Sequence, residues 1–231
     1  MKVTIIHSNG RKENTWEITQ MFRYQLSKYQ KIEFKEHDLS SEFPYFCTGC
    51  HNCFLHGEQT CPHFQKLQPI LEDFLSADGV ILDSPVYCMD VSGQMKSFLD
   101  HLGYMWIAHR PRIANFFAVG MAISTASNGG CSYTNKTMER SFEYLGFRRW
   151  YHLGVLKSEI EEEKTRKRVV KAAKKFYQTM LNKDEIHPHL YQQLFFQIMK
   201  KKILSADQLS LDRQYWDSKG WLEGMKPWKY E

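Results

Sequence analysis

The sequence predicts an α/β fold: a doubly wound sheet of five parallel strands in the order 2-1-3-4-5, with a helical, aromatic-rich C-terminal extension. Three observations predict it. Five short apolar runs alternate strictly with five segments whose apolar residues recur at helical spacing. The runs are mostly continuous in hydrophobicity, as strands covered on both faces require. Finally, polar loops of small residues follow runs 1, 3 and 4, where such a sheet gathers its ligands.

The first run is Val3, Thr4, Ile5 and Ile6, followed by the polar loop 8–15. Ile18, Met21, Phe22, Leu26 and Tyr29 then mark a helix. Residues 32–37 make a second strand, and a cysteine-rich insertion at 43–63 follows it. Phe64, Leu67, Leu71, Phe74 and Leu75 line one helix face, with His63 at its N-terminus. Val80, Ile81 and Leu82 form the third strand, ended by Asp83, Ser84 and Pro85. Met95, Phe98, Leu99, Leu102 and Met105 give a helix that Ser92 caps. Residues 116–123 read as the fourth and longest strand, closed by 124–130. Met138, Phe142 and Leu145 mark the next helix, 150–155 the fifth strand, and Val169, Ala173, Phe176 and Met180 the last core helix.

Residues 1–181 are thus expected to form one domain, and 182–231 an extension packing on it or on a neighbouring subunit. That tail carries Tyr191, Phe195, Phe196, Tyr215, Trp216, Trp221, Trp228 and Tyr230. Leu190, Leu194 and Met199 suggest a helix beginning after Pro188.

Composition narrows the class. The 231 residues can bury one large core, and 42% hydrophobic with 14% aromatic content excludes disorder. No apolar run approaches eighteen residues, so no membrane span is expected. The first residues read as a strand, without a signal peptide's apolar stretch, and a cytoplasmic location is expected. The net charge of +5 is modest, and its lysine-rich stretches at 164–175 and 200–202 suit solvated helix faces better than nucleic acid.

Four of the six cysteines fall within fifteen residues, as Cys47-x2-Cys50-x2-Cys53-x7-Cys61-Pro62. Thiols at i, i+3 and i+6 with a fourth shortly after resemble the run that wraps a 4Fe–4S cluster. Zinc, whose structural sites usually pair two separated hooks, is an alternative. So are free thiols and, without an oxidising context, disulfides. His51, His56 and His63 lie in or beside the run, and most are expected to be solvated.

Three loops suggest a ligand. Residues 7–15 present hydroxyl and amide groups ahead of a helix, which suits a phosphate. The plain alternative is a capped turn with Asn14 or Thr15 as cap. Tyr87, beyond Pro85 and Val86, could stack on a planar cofactor. Thr125, Asn128, Gly129 and Gly130 offer backbone donors to the edge of the same plane.

These residues resemble those of the NADPH-dependent FMN reductases, a flavodoxin-like family. Ser84-Pro85-Val86-Tyr87, followed by the stretch from Ser92 to Asp100, is similar to the family's second flavin loop. Ser8 with Asn14-Thr15 is similar to its phosphate loop, usually written Gly-Ser-Pro-Arg-Lys-x-Gly-Asn-Thr. The cysteine run matches the iron–sulfur flavoprotein branch. The resemblance covers about residues 1–180. It implies FMN, with phosphate on Ser8, Arg11, Asn14 and Thr15, and the isoalloxazine against Pro85, Val86, Tyr87 and Cys88 and against Thr125, Asn128, Gly129 and Gly130. NAD(P)H is the implied electron donor, and Cys47, Cys50, Cys53 and Cys61 the implied cluster ligands.

Departures accompany it. His7 replaces the first glycine of the phosphate loop, Gly10 stands where arginine is usual, and Arg11 is placed to make that contact one position later. His101 replaces the basic residue that commonly follows Asp100. A phosphatase of similar architecture needs a Cys-x5-Arg loop, which neither Cys88 nor Cys131 begins. No catalytic side chain is assigned, because the flavin carries the chemistry. Cys88 is expected to be a buried packing residue, with a redox-active thiol as the alternative. Two functions follow from the resemblance: a reductase of a quinone, flavin or other small acceptor, or an electron-transfer module serving ferredoxin-like proteins. A homodimer or homotetramer is implied in either case.

Overall fold

Five parallel strands form one sheet in the order β2-β1-β3-β4-β5: β1 (Lys2–His7), β2 (Glu33–Asp38), β3 (Gly79–Pro85), β4 (Val119–Ala126) and β5 (Arg149–Leu156). They belong to a computed structural model that describes residues 1–229; Tyr230 of the aromatic tail and Glu231 lie outside the described residues. Between the strands run α1 (Asn14–Ser27), α2 (Leu39–Glu42), α3 (Asn52–Leu55), α4 (Phe64–Leu75), α5 (Gly93–His101) and α6 (Cys131–Leu145). After β5 come α7 (Glu163–Leu181), α8 (Leu190–Leu204) and α9 (Leu211–Ser218).

Successive strand residues face opposite sides, both covered, so the central strands are mostly apolar, with Thr4, His7, Asp83, Ser84, Ser124 and Thr125 as buried polar residues. Val3, Ile5, Ile81, Met121 and Ile123 pack on one side against Ile18, Phe22 and Leu26 of α1 and Val169, Ala173 and Phe176 of α7. Ile6, Val80, Leu82 and Ala122 pack on the other, against Leu67 and Phe74 of α4, Met95 and Phe98 of α5, and Met138 and Phe142 of α6. Every residue of β4 is buried. β2, an edge strand, is the exception, with mainly polar residues.

Several boundaries differ from the expectation. Asp83, Ser84 and Pro85 continue β3, pairing with Ile123, Ser124 and Thr125 of β4, so the chain turns later than the serine–proline pair suggests. β4 starts at Val119, because Phe116 falls in a short 3-10 turn (Ile113–Phe117) and joins a different core; at 8 residues it matches β5 rather than exceeding it. Asn14 and Thr15 lie inside α1, and Glu13 occupies the cap position without a side-chain cap. Ser92 does cap α5, its Oγ accepting from Met95 N at 3.2 Å.

The extension packs on the segment between α5 and β4. Phe196, Ile203, Trp216 and Trp221 form a third core with Ile107 and Phe116. Trp216 Nε1 donates to His109 O at 2.6 Å and Tyr215 Oη to Pro111 O at 2.6 Å, so both aromatics bury their bodies and satisfy their polar ends.

Candidate functional site

The C-terminal ends of β1, β3 and β4 enclose a cavity of about 190 Å³. Arg11, Asn14 and Thr15 reach it from the first loop, Pro85, Val86 and Tyr87 from the second, and Thr125 from the third. The loops are tied together: Thr15 Oγ1 and Thr125 Oγ1 are 2.5 Å apart, and Val86 N donates to Thr125 O at 2.9 Å. The first turn of α1 leaves backbone N–H groups without helical acceptors at the same end.

Ser8 is fully buried, and its Oγ has no hydrogen-bond partner. Such a group costs about 1–3 kcal/mol unless a ligand satisfies it. Ser8 directly follows β1 but is not among the residues lining the cavity; the cavity's own donors, Arg11, Asn14 and Thr15, fit the phosphate of FMN.

Asn128, Gly129 and Gly130 lie outside the cavity lining, as does Cys88. Gly130, at φ +97°, precedes α6, and a Cβ there would meet Val86 Cγ1 at 2.6 Å, so only glycine fits. Cys88 is exposed rather than a buried packing residue. The reason is local: Tyr87 and Asp90 exchange backbone hydrogen bonds at 2.9 and 3.0 Å across a tight turn. Cys88 and Met89 form its tip at φ 49° and 67°, a left-handed conformation costly without glycine. Asn9, Glu13, Ala126 and Ser127 also line the cavity. All four sit within the two loops, 7–15 and 124–130, that the sequence marks as ligand loops.

The departures in the phosphate loop have structural causes. A Cβ at Gly10 would lie 2.3 Å from Asp38 Oδ2, so the space an arginine would need is filled. His7 is buried, with Nδ1 2.6 Å from Asp83 Oδ2 and Nε2 3.0 Å from Glu36 Oε2. Burial alone would lower its pKa, but the two carboxylates raise it to about 10. His7 is therefore an imidazolium at neutral pH, bridging β2, β1 and β3 beneath the loop. Glu36 is held below the usual range chiefly by its bond to His7.

A second cavity, of about 130 Å³, is lined by all four cysteines of the run together with His51, His63, Asp100 and His101. Cys47 and Cys50 are exposed, and Cys53 and Cys61 half-buried. Burial pushes the Cys53 thiol up, and its neighbours Cys61, Cys47 and Cys50 push it further. The four cysteines line one cavity, a donor set suited to soft transition metals and iron–sulfur clusters. The loop is anchored from outside: the buried guanidinium of Arg110 donates to the carbonyl oxygen of Cys53 and to Asp212 of α9.

The two cavities stand at opposite ends of α5. Ser84 Oγ accepts from Ser92 N at 2.9 Å where α5 begins beside the second loop, and Asp100 and His101 at its end line the cysteine cavity. Nine helical residues span about 13 Å.

A sequence model of the NADPH-dependent FMN reductases matches residues 1–148. The chain belongs to this family. An iron–sulfur flavoprotein of Methanocaldococcus jannaschii is 32% identical over 99 residues, 42% of this chain and 48% of the relative. The chain spans about half the length of the curated relatives it matches first. Among solved structures, an NADH:FMN oxidoreductase in its apo form superposes with a TM-score of 0.60 at 16% identity, covering 77% of this chain and 89% of that one. An NAD(P)H:quinone oxidoreductase from Methanothermobacter marburgensis gives 0.58 at 16% identity, over 82% and 99%. At these identities the likeness is one of fold: a flavodoxin-like sheet, now joined to a family-specific sequence.

Proposed function

We propose that this member of the FMN reductase family is an FMN-dependent oxidoreductase that draws electrons from NADH or NADPH and delivers them to a quinone, a free flavin or another small acceptor. Cys47, Cys50, Cys53 and Cys61 would hold a 4Fe–4S cluster, which would supply one-electron transfer. The observation that carries this reading is the cavity at the ends of β1, β3 and β4, lined by Arg11, Asn14, Thr15, Tyr87 and Thr125. FMN, when bound, supplies two-electron exchange with nicotinamide and one-electron exchange with a cluster. The chain's own part is to hold and orient. Ser8, Arg11, Asn14 and Thr15 bind the phosphate; Pro85, Val86, Tyr87 and Cys88 flank the ring; Thr125, Asn128, Gly129 and Gly130 border its edge. No side chain is assigned a proton-transfer role. The exposed row Leu190, Leu194 and Ile198 on α8 favours a homodimer or homotetramer, and a cytoplasmic location suits the thiol-rich loop. No helix among the described residues is long and apolar enough to cross a membrane.

Anaerobic purification tests this reading, with a visible spectrum and assays of iron, sulfide and zinc on one sample. Flavin bands with about four irons per chain, and NAD(P)H oxidation coupled to quinone reduction, are expected. Absence of flavin after FMN is added overturns it. A second reading, electron exchange with ferredoxin-like proteins and no small substrate, is favoured by Phe46 and Leu55, which are 70% and 65% exposed around the exposed Cys47 and Cys50. Electron exchange with ferredoxin, without NAD(P)H oxidation, would select it.

A further inference from the structure

The cysteine cavity holds a second donor set. We propose that Cys61, His63 and His101 form a site for a single divalent transition ion of the zinc or ferrous class. It differs in donors from the four-thiol site, and the two exclude each other because both need Cys61.

One ligand atom from each of the three residues lies within 4.8 Å of the others. His63 Nδ1 and His101 Nε2 are 3.0 Å apart. Two nitrogens bound tetrahedrally at 2.0–2.1 Å sit about 3.3 Å apart, so an ion enters with a shift of a few tenths of an ångström. His101 Nδ1 lies 2.8 Å from Ser97 O. A carbonyl only accepts, so Nδ1 carries the proton and Nε2 of the neutral ring presents its lone pair to His63. A backbone carbonyl fixing the far nitrogen is how metal-binding imidazoles are oriented.

Both imidazoles are held by ring contacts. His101 closes α5, is buried, and meets the Phe43 ring edge-on at 4.8 Å. His63 precedes α4 and stacks on Tyr45 at 5.0 Å. A plain His63-to-His101 hydrogen bond explains their separation; the Cys61 thiol within 4.8 Å of both nitrogens is the further observation that points to an ion. One thiolate and two imidazoles also leave a fourth tetrahedral position open, as in sites that bind water or substrate.

The test uses the full-length chain, freed of iron by chelation under reducing conditions and titrated with zinc alone. Calorimetry and zinc-edge X-ray absorption are then read on the same sample. One zinc per chain is expected, with one sulfur at about 2.3 Å and the remaining ligands nitrogen or oxygen at about 2.0–2.1 Å. His101→Gln and His63→Ala should each weaken binding about 10–100-fold or more, the range seen when even a ligand's supporting partner is lost. The double variant Cys47→Ser/Cys50→Ser should retain zinc affinity. Because His63 is only half-buried, His63→Ala keeps the test meaningful if His101→Gln fails to fold. Zinc on four sulfurs, affinity lost in the double cysteine variant but unmoved by His63→Ala, or no bound zinc would each overturn the proposal. The first of those results would still leave the four thiols as a metal site, so this test and that of the cluster fail separately.

Discussion

His7 puts a buried charge at the start of the phosphate loop. Flanked by Asp83 and Glu36, it forms a buried bridge across three strands. Its pKa is raised to about 10, so the stabilisation it gives is complete below its ordinary value near 6.5 and fades as pH rises to about 10. Glu36, held low, contributes above its ordinary value and loses that contribution as pH falls through its folded value. Urea unfolding across this range should therefore show wild-type stability falling steadily from pH 6.5 to 10, with a flatter slope in His7→Gln. Equal slopes would show that His7 is neutral in the folded chain. Ser8 makes an opposed pair of predictions. Ser8→Ala removes a buried hydroxyl with no partner, so the flavin-free chain should gain up to about 1–3 kcal/mol in unfolding free energy. The same change should weaken FMN binding about tenfold or more in a flavin-fluorescence titration, since hydrogen bonds to charged groups contribute about 1.5–3 kcal/mol. A variant that binds FMN normally removes Ser8 from the phosphate site.

Among the elements, the anchored cysteine loop is the most vulnerable. Arg110→Met leaves Asp212 and the Cys53 carbonyl without their guanidinium. The loss should fall at the low end of about 3–5 kcal/mol, because Asp212 keeps part of its surface in water. Faster amide exchange should appear at 47–61 and in α9 together; exchange confined to one of them would show that the anchor is not shared. The sequence made the sheet order and the helix faces legible, since continuous apolar runs and helical spacing report two-sided burial directly. It also marked Arg11, Asn14, Thr15 and Tyr87 as cavity residues. It did not reveal the left-handed tip at Cys88 and Met89, because backbone hydrogen bonds between Tyr87 and Asp90 impose that conformation on residues that do not favour it. Nor did it reveal Arg110: its partners stand 57 and 102 positions away, and no local pattern encodes such a link.

At the scale of the whole molecule, the extension is structural cover for the domain. Trp216 and Trp221 are at most 1% exposed and pack with Ile107 and Phe116 of the domain. A chain ending at residue 189 would bare that surface. It should express in aggregated form or melt well below the full chain, as soluble yield and light scattering would reveal. A soluble monomer of unchanged melting temperature would show that the domain covers itself. The same architecture sets an order of events during synthesis. Cys53 leaves the ribosome roughly 160 residues before Asp212, which at about 5–20 residues per second is on the order of ten seconds or more. Throughout that interval the nascent chain carries its thiols on a loop whose anchor does not yet exist. Ordering of the four-cysteine pocket is consequently a late step, and a ribosome stalled before α9 would present thiols that nothing yet holds in place.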